Sequence, residues 1–328
     1  MPAVILFAAF TTNAQKLYPE MGKVISYDKS FAKLIAADAK IEVIASDIIW
    51  AEGPVWVKDS GYLLFSDAPR NTIFKWDEKA GLTEFLKPSG YTGLGQYSDE
   101  PGSNGLMVNP KGELIACEHG DRRVTKMNLK LGGKVTLADK WQGRRLNSPN
   151  DVCMHSNGTY FFTDPPYGLP GRDKDTANRE IAENGVYCIL PDGTVKQIIS
   201  NLKKPNGIAL SPDEKLLYIS QSDGQEPYIM AYPLKEDGSV GAGAVLFDFS
   251  KFKDQLGKAS SDGIKVDANG NIYAGAANGV VVLSAQGKLL GKVETGMPTS
   301  NCAFGEDNYL YITAQHYVCR VKVLAAIK

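Results

Sequence analysis

Six short stretches of this chain put an acid or a carboxamide at the opening of an apolar run. They are Glu52 in Ala51-Glu52-Gly53-Pro54-Val55-Trp56, Asn104 in Ser103-Asn104-Gly105-Leu106, Asn150 in Leu146-Asn147-Ser148-Pro149-Asn150-Asp151-Val152, Asn206 in Lys204-Pro205-Asn206-Gly207-Ile208, Asp262 in Ser261-Asp262-Gly263-Ile264, and Asn301 in Ser300-Asn301-Cys302-Ala303. Brought together, they would form a ring of oxygen donors with two carboxylates and no His or Cys. Such a set suits a hard cation, Ca²⁺, Mg²⁺ or Mn²⁺, better than a zinc site. Asx residues before glycine most often make turns, and a turn is explanation enough for any one of these positions. It does not explain six in register.

The elements that must position these residues repeat with them. Each stretch leads into a short apolar run, a turn rich in Gly, Asn or Asp, and a second run, as in Val152-Cys153-Met154, Asn157-Gly158 and Tyr160-Phe161-Phe162-Thr163-Asp164. A recurrence of roughly 40 to 55 residues built this way is the signature of propeller blades. No amphipathic helical pattern of any length occurs between Lys40 and Val323, which argues against βαβ architectures. The expected fold is all-β, a six-bladed β-propeller over residues 40–328 preceded by a lead-in at 15–39. The segment Lys40–Ala45 is expected to pair into the last blade, because an unclosed ring would leave open sheet edges. The innermost strand of each blade lines the central channel, so the six openings should converge on one end of the axis. The charged insertion from Gly171 to Glu183 should stand over that end as a loop or short helix.

Composition narrows the partners. With 328 residues, 43% of them hydrophobic, the chain can bury a large core. The formal net charge of −1, from 36 basic and 37 acidic residues, offers no basic face for nucleic acid and no polybasic patch for a membrane. A small molecule bound at a local site is the expected partner, in a monomer or small homo-oligomer. The apolar run Pro2–Phe10 is too short to span a bilayer, and Ala14 is a small residue where a signal peptidase would cut. Residues 1–14 are therefore expected to be a secretory signal, giving a periplasmic or secreted protein, or a cytoplasmic one if the run is instead a buried strand. The five cysteines form no C-x-x-C pair and are expected as buried free thiols.

Taken together, these motifs resemble the regucalcin/gluconolactonase family of six-bladed propeller lactone hydrolases, and its bacterial gluconolactonase branch above all. The resemblance runs from about Ile41 to Val321. It also rests on Cys117-Glu118-His119-Gly120-Asp121-Arg122-Arg123-Val124 and Thr163-Asp164-Pro165-Pro166-Tyr167-Gly168-Leu169. The family implies a divalent metal held by Glu52, Asn150, Asn206 and Asp262, with calcium the first expectation and Mg, Mn or Zn the alternatives. The regucalcin branch carries an Arg two residues before its channel Asn. Here that position is Ser148, so its sugar-lactone contacts do not transfer whole, and Arg145 is the candidate substitute.

A lactone carbonyl near a divalent cation is polarised, and a nearby water loses a proton more readily. Asp262 is the candidate general base, although a carboxylate bonded to metal is weakened for that task. His119, beside Glu118, Arg122 and Arg123, is the rival base or else a binder of sugar hydroxyls. Asn104 and Tyr167 are candidate substrate contacts at the channel mouth, while His155 and His316 are assigned no role. The expected activity is metal-dependent opening of an aldonolactone. Two other readings stand beside it: an ester or organophosphate hydrolase at the same ion, and a metal-stabilised sugar-binding propeller without catalysis, since fold alone never fixes function.

Overall fold

The computed structural model describes residues 17–58 and 60–324, so the leader expected at residues 1–14 lies outside the described residues. The described chain forms a six-bladed β-propeller. The innermost strands of the blades are β1 (Ala51–Val57), β2 (Ser103–Val108), β3 (Val152–Met154), β4 (Pro205–Leu210), β5 (Ile264–Val266) and β6 (Asn301–Phe304). Each is the edge of an antiparallel sheet that continues outward in sequence order, as in blade one through Tyr62–Asp67, Thr72–Asp77 and Gly81–Leu86.

Blade six departs from that order, and this closes the ring. Its outermost strand is Ile41–Ala45, from the other end of the chain, paired antiparallel with Tyr317–Lys322 through Ile41 opposite Val321 and Glu42 opposite Arg320. Arg320 fastens the joint: its Nε donates to Glu42 Oε2 at 2.6 Å and its Nη1 to Glu78 Oε2 at 2.9 Å, while its guanidinium lies over the rings of Tyr18, Trp76 and Tyr309. A second early strand, Lys23–Ser26, extends blade five by pairing with Leu289–Glu294.

The core lies between the blades. Alternation along each strand puts apolar residues on both sheet faces, so each blade packs against both neighbours. Blade three contributes Phe161, Val186 and Cys188, and blade four Ile208, Leu217 and Ile219, to one such layer. The cysteines are free, four buried and Cys153 half-buried.

Candidate active site

Local irregularity aims the channel residues. The pairing of β1, β2 and β4 with their neighbours slips between Glu52 and Val55, between Ser103 and Leu106, and between Pro205 and Ile208. A bulge of this kind bends the strand and redirects a side chain. It falls directly after Glu52, at Gly53–Pro54, and on Asn104–Gly105 and Asn206–Gly207, so the regular pleat breaks at the channel mouth.

The glycines after Asn104 and Asn206 serve packing rather than a turn. A Cβ on Gly105 would stand 2.5 Å from the Asn150 carbonyl oxygen, and one on Gly207 2.6 Å from that of Asp262. Only glycine lets one blade approach the backbone of the next so closely. Hydroxyls from the second strands complete the lattice: Ser66 Oγ donates to the Asn104 carbonyl at 2.9 Å, Thr163 Oγ1 to that of Asn206 at 2.6 Å, and Ser220 Oγ to that of Asp262. Each is a bond from one blade to the next.

This scaffold brings Glu52, Asn104, Asn150, Tyr167, Asn206 and Asp262 to the wall of one cavity of about 380 Å³, within the size range of small-molecule sites. Glu52, Asn104, Asn150 and Asn206 are buried, and Asp262 keeps partial exposure. The Tyr167 hydroxyl lies 3.1 Å from Ser222 Oγ.

The two carboxylates are electrostatically uncomfortable. Burial, then repulsion from Glu100 and Asp151, pushes Glu52 up to about 8, against a 3.2 Å hydrogen bond from Trp50 Nε1 and one from the Gly53 amide. Burial, then the charge of Glu52, raises Asp262 well above the ordinary range. Neither carboxylate forms an ion pair among the described residues. Two acids, Glu52 buried and Asp262 partly exposed, with carboxamide oxygens beside them and no ion pair to either form a donor set that fits a divalent ion, whose charge would remove the repulsion. Among the described residues no three His, Cys, Asp or Glu side chains cluster for a metal; here the other oxygens are carboxamides.

Three residues singled out from the sequence lie off this wall. His119 is fully buried. Its Nδ1 donates to the Glu100 carbonyl at 3.2 Å, its Nε2 has no partner, and burial lowers its pKa to about 4. Arg145 is bound instead to the Asp121 carbonyl through Nη2 at 3.0 Å and, through its backbone amide, to Glu180. Asn301 is engaged deeper in the channel, where its Nδ2 donates to Asp151 Oδ2 at 3.3 Å and its Oδ1 accepts from Lys265 Nζ at 3.0 Å.

Four further residues complete the wall: Trp50, Glu100, Arg172 and Ser222. Trp50 sits in the bend just before β1 and reaches Glu52 through its indole Nε1. Arg172 belongs to the insertion, at the start of the 3-10 turn Arg172–Lys174, and meets Glu100 at 2.9 Å. No spacing in the sequence joins that pair.

Fold and site together define a six-bladed β-propeller with an acid- and amide-lined pocket at one end of the channel. The pattern described as the SMP-30/Gluconolactonase/LRE-like region matches residues 50–316, and the chain belongs to that family. A gluconolactonase of Zymomonas mobilis is 40% identical over 332 residues, spanning 98% of this chain and 93% of the relative. Human regucalcin is 26% identical, over 84% of this chain and 86% of its own length. A solved gluconolactonase structure from Xanthomonas campestris superposes with a TM-score of 0.79 at 26% identity, covering 94% of this chain and 99% of the other. The chain is accordingly a gluconolactonase-like carboxylic ester hydrolase.

Proposed function

We propose that this protein is a divalent-metal-dependent lactonase that opens an aldonolactone such as glucono-1,5-lactone, with calcium as its ion. The observation that carries the proposal is the carboxylate pair of buried Glu52 and partly exposed Asp262, unpaired by any described cation and flanked in one cavity by Asn150 and Asn206. These four residues would hold the ion. An all-oxygen donor set favours calcium or magnesium over zinc. The named activity of the 40% identical Zymomonas relative supplies the substrate class.

The ion, when bound, supplies Lewis acidity, which polarises a carbonyl and eases deprotonation of water. The protein does the rest. Asn104 and Tyr167 offer hydrogen bonds to sugar hydroxyls and orient the ring. Trp50 holds the Glu52 carboxylate and adds an apolar wall. Asp262 takes the proton from the attacking water and returns it to the ring oxygen as the ester bond breaks. It is the carboxylate of the pair that keeps partial exposure, whereas His119 lies beneath Glu100 and off the cavity wall. Export through the leader at residues 1–14 is part of the same proposal, checked by the mass of the mature protein from a periplasmic fraction.

The test is acid release from glucono-1,5-lactone after chelation, followed by return of single ions, for the natural protein and for Asp262→Ala. Activity above the spontaneous rate that returns with calcium, and is lost together with calcium binding in Asp262→Ala, is the expected result. Full activity in chelator, or an active metal-replete Asp262→Ala, would overturn it.

A further inference from the structure

Glu100 and Arg172 stand in the cavity wall outside the four residues proposed to hold the ion. Arg172 opens the turn Arg172–Lys174 with φ of +49°, a left-handed conformation that an arginine adopts only where its surroundings impose it. The turn is clasped from both sides. Arg172 Nη2 donates to Glu100 Oε1 at 2.9 Å, and Lys204 Nζ lies 3.2 Å from Asp173 Oδ2. Glu100 precedes β2 and Lys204 precedes β4, so the insertion from blade three is tied to blades two and four over the cavity. Glu100 is itself fixed from below by the His119 bond to its carbonyl. A guanidinium has five donors, and among the described residues the side chain of Arg172 is committed to protein only at Nη2. The remaining donors belong to the one Lys or Arg in a wall otherwise made of acids, amides, hydroxyls and an indole.

We propose that Arg172 is a substrate-binding residue that holds the oxygens on C1 of the aldonolactone as they become a carboxylate, and that Glu100 is the positioning residue that aims it. This rests on the lactonase reading. In ring opening the water oxygen bonds to the carbonyl carbon and the bond from that carbon to the ring oxygen breaks. One water proton reaches the ring oxygen, leaving a hydroxyl, and the other is released as the new acid ionises. Negative charge therefore grows on the C1 oxygens from a neutral lactone to an aldonate. A planar guanidinium with free donors matches that charge, and matches it better late than early. Arg172 thus favours the transition state and the product over the ground state.

The test reads gluconate binding by calorimetry alongside lactone turnover in Arg172→Met, Arg172→Lys, Glu100→Gln and Asp173→Asn, with calcium affinity and melting temperature as measures of an intact fold. Arg172→Met is expected to weaken gluconate by roughly tenfold or more and to lower kcat, with KM for the neutral lactone within about threefold. Glu100→Gln should move both in the same direction by less. Asp173→Asn releases the other clasp and should leave gluconate affinity unchanged. Where Arg172→Met does not fold, Arg172→Lys decides, because a lysine cannot reproduce the two-pronged contact. Natural gluconate affinity in a folded Met or Lys variant overturns the inference, as does an Asp173→Asn variant that loses as much as Arg172→Met. A natural protein that binds gluconate through Arg172 but turns over no lactone overturns the lactonase reading and leaves this contact standing.

Discussion

The hydroxyl of Thr163, on the second strand of blade three, donates a 2.6 Å hydrogen bond to the carbonyl of Asn206 on the innermost strand of blade four. Both residues are buried. A side chain of one blade thereby fixes the backbone that carries a candidate metal ligand of the next. Thr163→Val keeps the shape and strands a buried carbonyl, at a cost of about 1–3 kcal/mol. Urea unfolding should show that loss, and calcium titration should show weaker binding, because Asn206 is no longer held. Unchanged calcium affinity in a destabilised variant would confine the bond to a structural role.

The glycines after the channel residues should be intolerant of even one methyl group. In Gly105→Ala the new Cβ meets the Asn150 backbone carbonyl oxygen at 2.5 Å, and overpacking of this kind costs about 1–3 kcal/mol or more. Gly224→Ala has open space around it and should be within about 0.5 kcal/mol of the natural protein. Equal melting temperatures for the two variants would refute the close-approach explanation of the repeated glycine.

Calcium affinity should rise with pH. Burial holds Glu52 at about 8 in the folded chain, so below that pH the ion must displace a proton, and affinity falls by up to roughly tenfold per pH unit for each proton released. The stability of the metal-free protein has the opposite sign. A carboxyl raised by burial contributes stability that is fully present below its unfolded value and is lost as pH rises toward about 8. The melting-point gain on adding calcium should therefore be larger at pH 8.5 than at pH 5.5, and Glu52→Gln should flatten that difference. A gain independent of pH in the natural protein would remove Glu52 from the ligand set.

Beneath the cavity, Lys265 Nζ lies 3.5 Å from Asp151 Oδ2, and Asn301 bonds to both. Asp151 is 1% exposed and adds to the repulsion on Glu52 and Asp262. Lys265→Met leaves that carboxylate without its countercharge. It should destabilise the chain by about 1–3 kcal/mol, discounted because the lysine side chain is 25% exposed. The loss should shrink when Asp151→Asn is present. Additive losses in the double-mutant cycle would mean the two residues are not coupled.

The blade count and most of the cavity wall were legible because both depend on short-range pattern. A propeller repeats one local unit, so six recurrences of an acid or amide at a strand opening announce six channel strands, and symmetry alone places them on one axis. The same symmetry misleads at Asn301. It occupies the sixth equivalent position, yet Lys265 and Asp151 draw its side chain into the channel below the cavity. Nothing in the sixth repeat itself records that, because the competing partners come from blades three and five.

What the sequence determined by itself was therefore the periodic part of this protein: the strands, their closure by Ile41–Ala45 against the last blade, and the approach of Glu52, Asn104, Asn150, Asn206 and Asp262 to one mouth. The tertiary structure decided what is not periodic. It set His119 under Glu100, turned Arg145 to Asp121, and carried Arg172 from the insertion across to Glu100, 72 residues away. Side-chain direction at these positions is governed by burial and by charges on other blades, and a linear pattern does not encode contacts between elements that meet only when the ring closes.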